Sequence, residues 1–169
     1  MVSTLDKPAK NTTYCRKLAD QFFKTFPQEK VEKYKEYWES VRPQNHGDIF
    51  KRYLFAYCSV HTSWQGNCRG YEAIKQYEEW IDNKETLLNK LKNSGVGLHN
   101  NRTKYIWDFA TQFWAKPTDF YLTTKKYHVK KRDEIVNRVT GLGMAKVSFA
   151  LEMILSLIHI SEPTRLRTI

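Results

Sequence analysis

The chain has few of the residues that mark a secreted, metal-stapled or membrane-embedded protein. Only three cysteines occur in 169 residues. Cys15, Cys58 and Cys68 are odd in number and lack metal-ligand spacing, which excludes a disulfide framework and suits a reducing cytoplasm. No apolar run approaches the length of a membrane span. The first eleven residues are too polar to hold a signal-peptide core. No period-two alternation marks a strand, and there is no low-complexity tract or internal repeat. Acidic residues are outnumbered, 18 against 28 basic ones, for a formal net charge of +10. That excess favours a polyanionic partner, nucleic acid first and a membrane surface second. A merely basic soluble protein is the plain alternative.

What is present is apolar and helical. Apolar residues make up 41% of the chain and aromatics 14%, enough for one or two small helical domains with a core. Helical spacing of apolar residues runs over 14–26, 28–40, 49–61, 64–81, 84–92, 100–114, 129–138 and 144–155, with a short helical turn at 119–124. Asp48 is expected to cap the third of these helices. Pro27, the turn at 43–47, the glycine-bearing stretch 93–97 and Pro117 punctuate them.

One turn carries chemistry. In Gly141-Leu142-Gly143-Met144-Ala145-Lys146, two glycines flank one apolar residue and lead straight into the last helix. Glycine admits positive φ and leaves no side chain in the way. The helix start then offers bare N–H groups, a natural seat for a phosphate. A lysine on the first turn sets an amine beside it. The plain alternative is a structural glycine turn.

Three blocks, in order, resemble the helix-hairpin-helix DNA glycosylase superfamily, which includes endonuclease III and the 8-oxoguanine glycosylases. Ala56-Tyr57-Cys58-Ser59-Val60-His61-Thr62-Ser63-Trp64 is similar to that family's Leu-Ser-x-Gln-Thr segment. Gly97-Leu98-His99-Asn100-Asn101-Arg102-Thr103-Lys104-Tyr105-Ile106 resembles Gly-Leu-Tyr-Asn-x-Lys-Ala-x-x-Ile without a gap. Arg132 to Gly143 resembles the helix and hairpin ending in Leu-Pro-Gly-Val-Gly. The form Gly-Leu-Gly-Met-Ala-Lys-Val-Ser-Phe is closer to phage-type and divergent members than to endonuclease III.

The resemblance implies an all-α glycosylase domain at 46–155, with helices of 1–45 belonging to an incomplete second helical lobe. It implies a base-excision enzyme that flips a damaged base, an oxidised purine, out of double-stranded DNA. Backbone contact then falls to Gly141, Leu142, Gly143, Met144 and Ala145, aided by Lys130, Lys131, Arg132 and Arg102. Lys125, Lys126 and Lys104 are further basic candidates. His61 stands where the family's Gln fills the gap left by the flipped base. Trp64 and Phe149, with Trp114, are candidates to stack on the flipped base or wall its pocket, although each alone is more readily core. Lys146 is the candidate nucleophile for a Schiff base and strand cleavage by AP-lyase chemistry. It comes one residue later than in bifunctional relatives, where this chain has Ala145. A shifted catalytic lysine and a phosphate-binding lysine both stay open. Asp108, Asp119 and Asp133 do not match the family's catalytic acid. The family also implies a monovalent cation on the hairpin carbonyls. No residue is assigned to any other metal, and the place of an iron–sulfur cluster lies beyond the comparable region.

The last residues, 156–169, read as a translated sequencing adapter rather than native sequence. The natural protein is then expected to continue past about Leu155, with its catalytic aspartate missing here and the fragment inactive. Without the tail the charge is still about +9. The expected setting is cytoplasmic, at a bacterial nucleoid or phage-encoded, with the protein a monomer. A non-catalytic hairpin module that binds DNA is the alternative function, and a helical protein-interaction adaptor a distant one.

Overall fold

The structure, a computed structural model, describes residues 17–18, 20–22, 24–122 and 128–155, without the side chains of 34, 35, 38, 128 and 155. The adapter-like stretch 156–169, Cys15, Lys125 and Lys126 lie outside the described residues. The chain divides into two compact units, Met1–Ser40 and Val41–Ile169. The first holds helical backbone at 17–18, 20–22 and 24–25, then α1 (Gln28–Ser40). There Leu18 and Phe22 are exposed, and Phe22 meets Phe26 at 5.5 Å between ring centroids.

The second unit is all-helical among its described residues. It runs α2 (His46–Cys58), α3 (Trp64–Ile74), a 3-10 turn (Tyr77–Glu79), α4 (Lys84–Asn93), α5 (His99–Ala115), a second 3-10 turn (Pro117–Phe120), α6 (His128–Arg138) and α7 (Met144–Leu155). Helix α2 is the hub and packs against α3, α5 and α7. Its Phe50, Tyr53, Leu54, Ala56, Tyr57 and Cys58 are buried. Phe50 stacks on Phe109 of α5 with rings 3° from parallel, and Phe109, Phe113 and Phe120 continue the aromatic core. No helix among the described residues is long and apolar enough to cross a membrane.

Apart from shifts of a residue or so, α2 and α3 differ from the sequence expectation, and the helical turn expected at 119–124 lies at Pro117–Phe120 because Tyr121 is already extended. Asp48 does not cap α2. Asn45 does, its Oδ1 accepting from Asp48 N–H at 2.9 Å, while Asp48 Oδ2 accepts from Gln44 N–H at 3.0 Å. The Asn45 side chain thus satisfies an N–H three positions on, and Asp48 reaches back four positions to the N–H of Gln44, just before the cap. Helix α2 also ends at Cys58 rather than 61, with Ser59 as its C-cap. The helix expected over 64–81 stops at Ile74, because the buried Trp80 folds back and donates its indole N–H to Ile74 O at 2.8 Å. The orphan carbonyl of the helix end finds a side-chain donor.

Two buried tyrosines on one face of α2 fasten the loops around it. Tyr53 donates to Phe120 O at 2.6 Å, and Tyr57, one turn on, donates to Thr140 O at 3.1 Å. Burial pushes both phenols well above their ordinary pKa, so each stays a neutral donor. The second 3-10 turn is also clamped from α6. Arg138 donates to Asp119 Oδ2 at 2.6 Å and lies 4.8 Å above the Phe120 ring, while Lys116 meets Asp119 Oδ1 at 2.9 Å. The bonds from Arg138 and then Lys116 hold the Asp119 carboxyl below the usual carboxylate range.

Two outcomes follow from this packing. Gly141 has φ +90°, and a Cβ there would sit 2.5 Å from Tyr105 Cδ2, so Gly141→Ala is expected to cost about 1–3 kcal/mol in urea denaturation. An unchanged midpoint would show that Tyr105 gives way freely. Asp119 is favoured as the anion in the folded state, so its contribution is present above the ordinary carboxylate pKa of ~3.9 and fades as pH falls through the lower folded value. Asp119→Asn should therefore be less stable than the parent at pH 7, with the gap closing under acid. Urea midpoints across pH check this, and a pH-independent gap contradicts it.

Candidate functional site

The C-terminal end of α2 is where the three sequence blocks meet. The hairpin reaches it through the Tyr57–Thr140 bond. The hairpin glycines do different work. Gly141 needs its left-handed φ and its missing side chain to lie against Tyr105. Gly143 has no left-handed φ, and a Cβ there would meet nothing within 4 Å. Nothing inside the protein therefore requires glycine at 143. Gly143 O accepts from Lys146 N–H and Val147 N–H, both at 3.0 Å, so Gly143 caps α7. The N–H groups of Met144 and Ala145 precede the first intrahelical bond and have no carbonyl in the helix to meet. Gly143, Met144 and Ala145 are exposed, whereas Leu142 is buried and anchors the turn.

Lys146 is half-buried, one position past the exposed Ala145. Helical spacing sets it on the same face as Phe149 and Ala150. Phe149 lies 5.9 Å from Phe55, which in turn meets Trp64 at 5.8 Å and Tyr71 at 5.3 Å, centroid to centroid. Trp64 is 70% exposed and the other three are partly so, leaving an aromatic patch open to solvent beside Lys146. Trp64 and Phe149, far apart in sequence, are thus brought together by Phe55, which the sequence reading missed. Trp114 is not part of this patch. It packs on Tyr77, Phe50 and Phe113 at the other end of α2.

Arg102 does not serve as a phosphate contact. It is 4% exposed, and each nitrogen of its guanidinium donates to a backbone carbonyl. Nε donates to Gly97 O at 2.7 Å, Nη1 to Tyr57 O at 2.6 Å and Cys58 O at 3.1 Å, and Nη2 to Val60 O. A helix end carries orphan carbonyls and partial negative charge, a suitable seat for a buried cation. The same burial pushes the Cys58 thiol up to about 12, so it is an inert core group.

The residues flanking this clamp are unusual. His61, just after Val60, has φ 48°, and Leu98, just after Gly97, has φ 58°. Left-handed backbone is costly for residues with a Cβ and marks places worth examining. Both are exposed, Leu98 at 53%. Sequence reasoning identified His61 as a site residue and passed over Leu98, because only the structure separates the buried Val96 from the exposed Leu98 in the same turn.

The basic residues of α6 divide. Lys130 projects, 79% exposed, with Glu134 no nearer than 4.0 Å. Lys131 is tied to Glu134 at 3.4 Å and to Asp119 O at 3.3 Å, and Arg132 to Asp133 at 2.9 Å, so a phosphate would compete with these bonds. Lys104 is exposed on α5. Among the described residues no cluster of three or more His, Cys, Asp or Glu suits a metal. Of the hairpin carbonyls, Gly143 O already accepts two protein donors and Thr140 O one, which leaves Thr140 O a lone pair for a monovalent cation.

These features have parallels in known proteins. A family model described as 8-oxoguanine DNA glycosylase (Ogg-HhH) matches residues 27–154. The crystal structure of the Methanocaldococcus jannaschii 8-oxoguanine DNA glycosylase superposes with a TM-score of 0.66 at 18% identity, covering 86% of this chain and 67% of that one. At that identity the likeness speaks for the fold alone. No curated protein matches the sequence. A family model that runs through both hairpin and core, on a fold that is helical among the described residues, makes this chain a member of the 8-oxoguanine DNA glycosylase family.

Proposed function

We propose that the protein removes an oxidised purine, of the 8-oxoguanine kind, from duplex DNA, with Lys146 as the attacking amine. The observation that carries this is the half-buried Lys146 set between a bare backbone turn and an open aromatic patch. The family description and that of the archaeal structure both name 8-oxoguanine, which supports the purine reading.

The steps follow from the residues. N–H groups at Gly143 to Ala145 hold a phosphate without reading sequence, and Lys130 adds a positive charge. Leu98, an exposed apolar side chain on a strained turn, enters the stack as a wedge, as apolar residues do when they unstack base steps. His61 fills the gap and offers a hydrogen bond to the orphaned base. The extruded purine lies against Trp64 and Phe149, whose π-faces accept any flat ring. Lys146 Nζ then attacks C1′ through its lone pair. The C1′–N9 bond breaks, its electron pair leaves with the base, and the base takes a proton from the attacking nitrogen. The C1′–O4′ bond then opens as that nitrogen forms the imine, O4′ taking the nitrogen's remaining proton, and the imine permits loss of the 2′ proton and of the 3′ phosphate by β-elimination. Asp119 and Asp133 are engaged in ion pairs and Asp108 is exposed on α5, so none of these three takes the acid's part.

Borohydride trapping tests the amine. On a duplex with a preformed abasic aldehyde, where base release has already taken place, the protein is expected to form a covalent adduct that Lys146→Ala abolishes. Absence of any adduct would remove Lys146 as the attacking amine. Adduct formation that persists in Lys146→Ala would assign it to another amine. The grip is tested separately by Gly143→Ala. Its stability should stay within about 0.5 kcal/mol of the parent, because the added methyl meets no protein atom. Its affinity for duplex DNA should fall about tenfold by fluorescence anisotropy, because the methyl stands between backbone and phosphate. Unchanged affinity would remove the hairpin from the interface.

A further inference from the structure

Both exposed left-handed residues follow a residue whose carbonyl is bonded to the same guanidinium. Arg102 Nη2 donates to Val60 O, which precedes His61, and Nε donates to Gly97 O at 2.7 Å, which precedes Leu98. A carbonyl oxygen lies in the plane of the peptide that leads into the next residue. Holding Val60 O therefore fixes the plane entering His61, and holding Gly97 O fixes the plane entering Leu98. Nη1 supplies the frame, bonding Tyr57 O at 2.6 Å and Cys58 O at 3.1 Å at the end of the buried α2. Arg102 itself rises from the first turn of α5, its N–H donating to Leu98 O at 2.9 Å. Its planar fork offers donors in fixed directions, so the four acceptors cannot move independently.

We propose that Arg102 is a positioning residue that joins His61 and Leu98 into one rigid wedge for the damaged duplex. This rests on the reading that those two side chains enter the base stack. Arg102 touches no DNA and acts only through the two peptide planes. Strained backbone persists only where its surroundings hold it, and here one side chain holds both instances. Lysine cannot replace it fully, because three donors on one nitrogen do not span acceptors that lie on different sides of a guanidinium.

The test compares binding to an intact duplex and to one carrying a tetrahydrofuran abasic analogue, at one salt concentration, with amide hydrogen exchange at 60–62 and 97–99. The parent protein should prefer the abasic duplex, where the gap is already open. Arg102→Met should lower that preference about tenfold while leaving affinity for intact duplex within about twofold, since the hairpin grip does not use Arg102. Exchange should rise at both loops together, and Arg102→Lys should fall between the two on both readouts. If Arg102→Met does not fold, Arg102→Lys carries the comparison. A folded variant that keeps the full preference overturns the proposal. So does exchange that rises in one loop only, or affinity that falls equally for both duplexes, which is the mark of general loosening. A parent protein with no preference for the abasic duplex overturns the wedge reading itself, a result the variants do not affect.

Discussion

Helix α2 is buried along most of its length, and its polar groups must be satisfied without water. That constraint organises the rest of the second unit. Tyr53 and Tyr57 carry hydroxyls into the interior and give them to the carbonyls of Phe120 and Thr140. The carbonyls left over at the helix end go to Arg102. Burying any of these groups without a partner would cost the full desolvation of a polar atom, a few kcal/mol apiece. Each requirement therefore draws a particular loop to a particular place: the second 3-10 turn, the glycine hairpin and the turn before α5. The surfaces proposed to meet DNA are by-products of satisfying one buried helix.

The same economy explains why strain and rigidity occur together. His61 and Leu98 have left-handed backbone on exposed loops, where a free chain would relax. They stay because the peptides before them are bonded to a guanidinium that cannot turn. A protein that must press side chains into a stacked duplex needs them held before contact, since ordering them during binding would subtract from affinity. The hairpin follows the opposite rule. Gly143 is bare toward solvent and unopposed from within, so its emptiness is available only to a ligand.

Much of this was legible in the sequence. The helical periods located α1 and α7 to the residue, the glycine pair located the hairpin, and three ordered blocks located the family. Boundaries failed where a distant side chain intervened. Trp80 ended α3 by reaching Ile74, and Asn45 displaced Asp48 as the cap of α2. Arg102 was misread for a related reason. A basic residue in a motif of a basic protein has phosphate as its natural destination, and only the packed structure reveals four carbonyls waiting nearer by.

The sequence by itself determined the helices, the basic surplus and the bare turn that begins α7, because periodicity, charge and glycine act over a few residues. Tertiary structure alone decided which side chains would share a site. Phe55 brings Trp64 to Phe149, and Arg102 couples His61 to Leu98. Such meetings depend on where helices cross and which buried groups remain unpaired, and neither is written in local spacing.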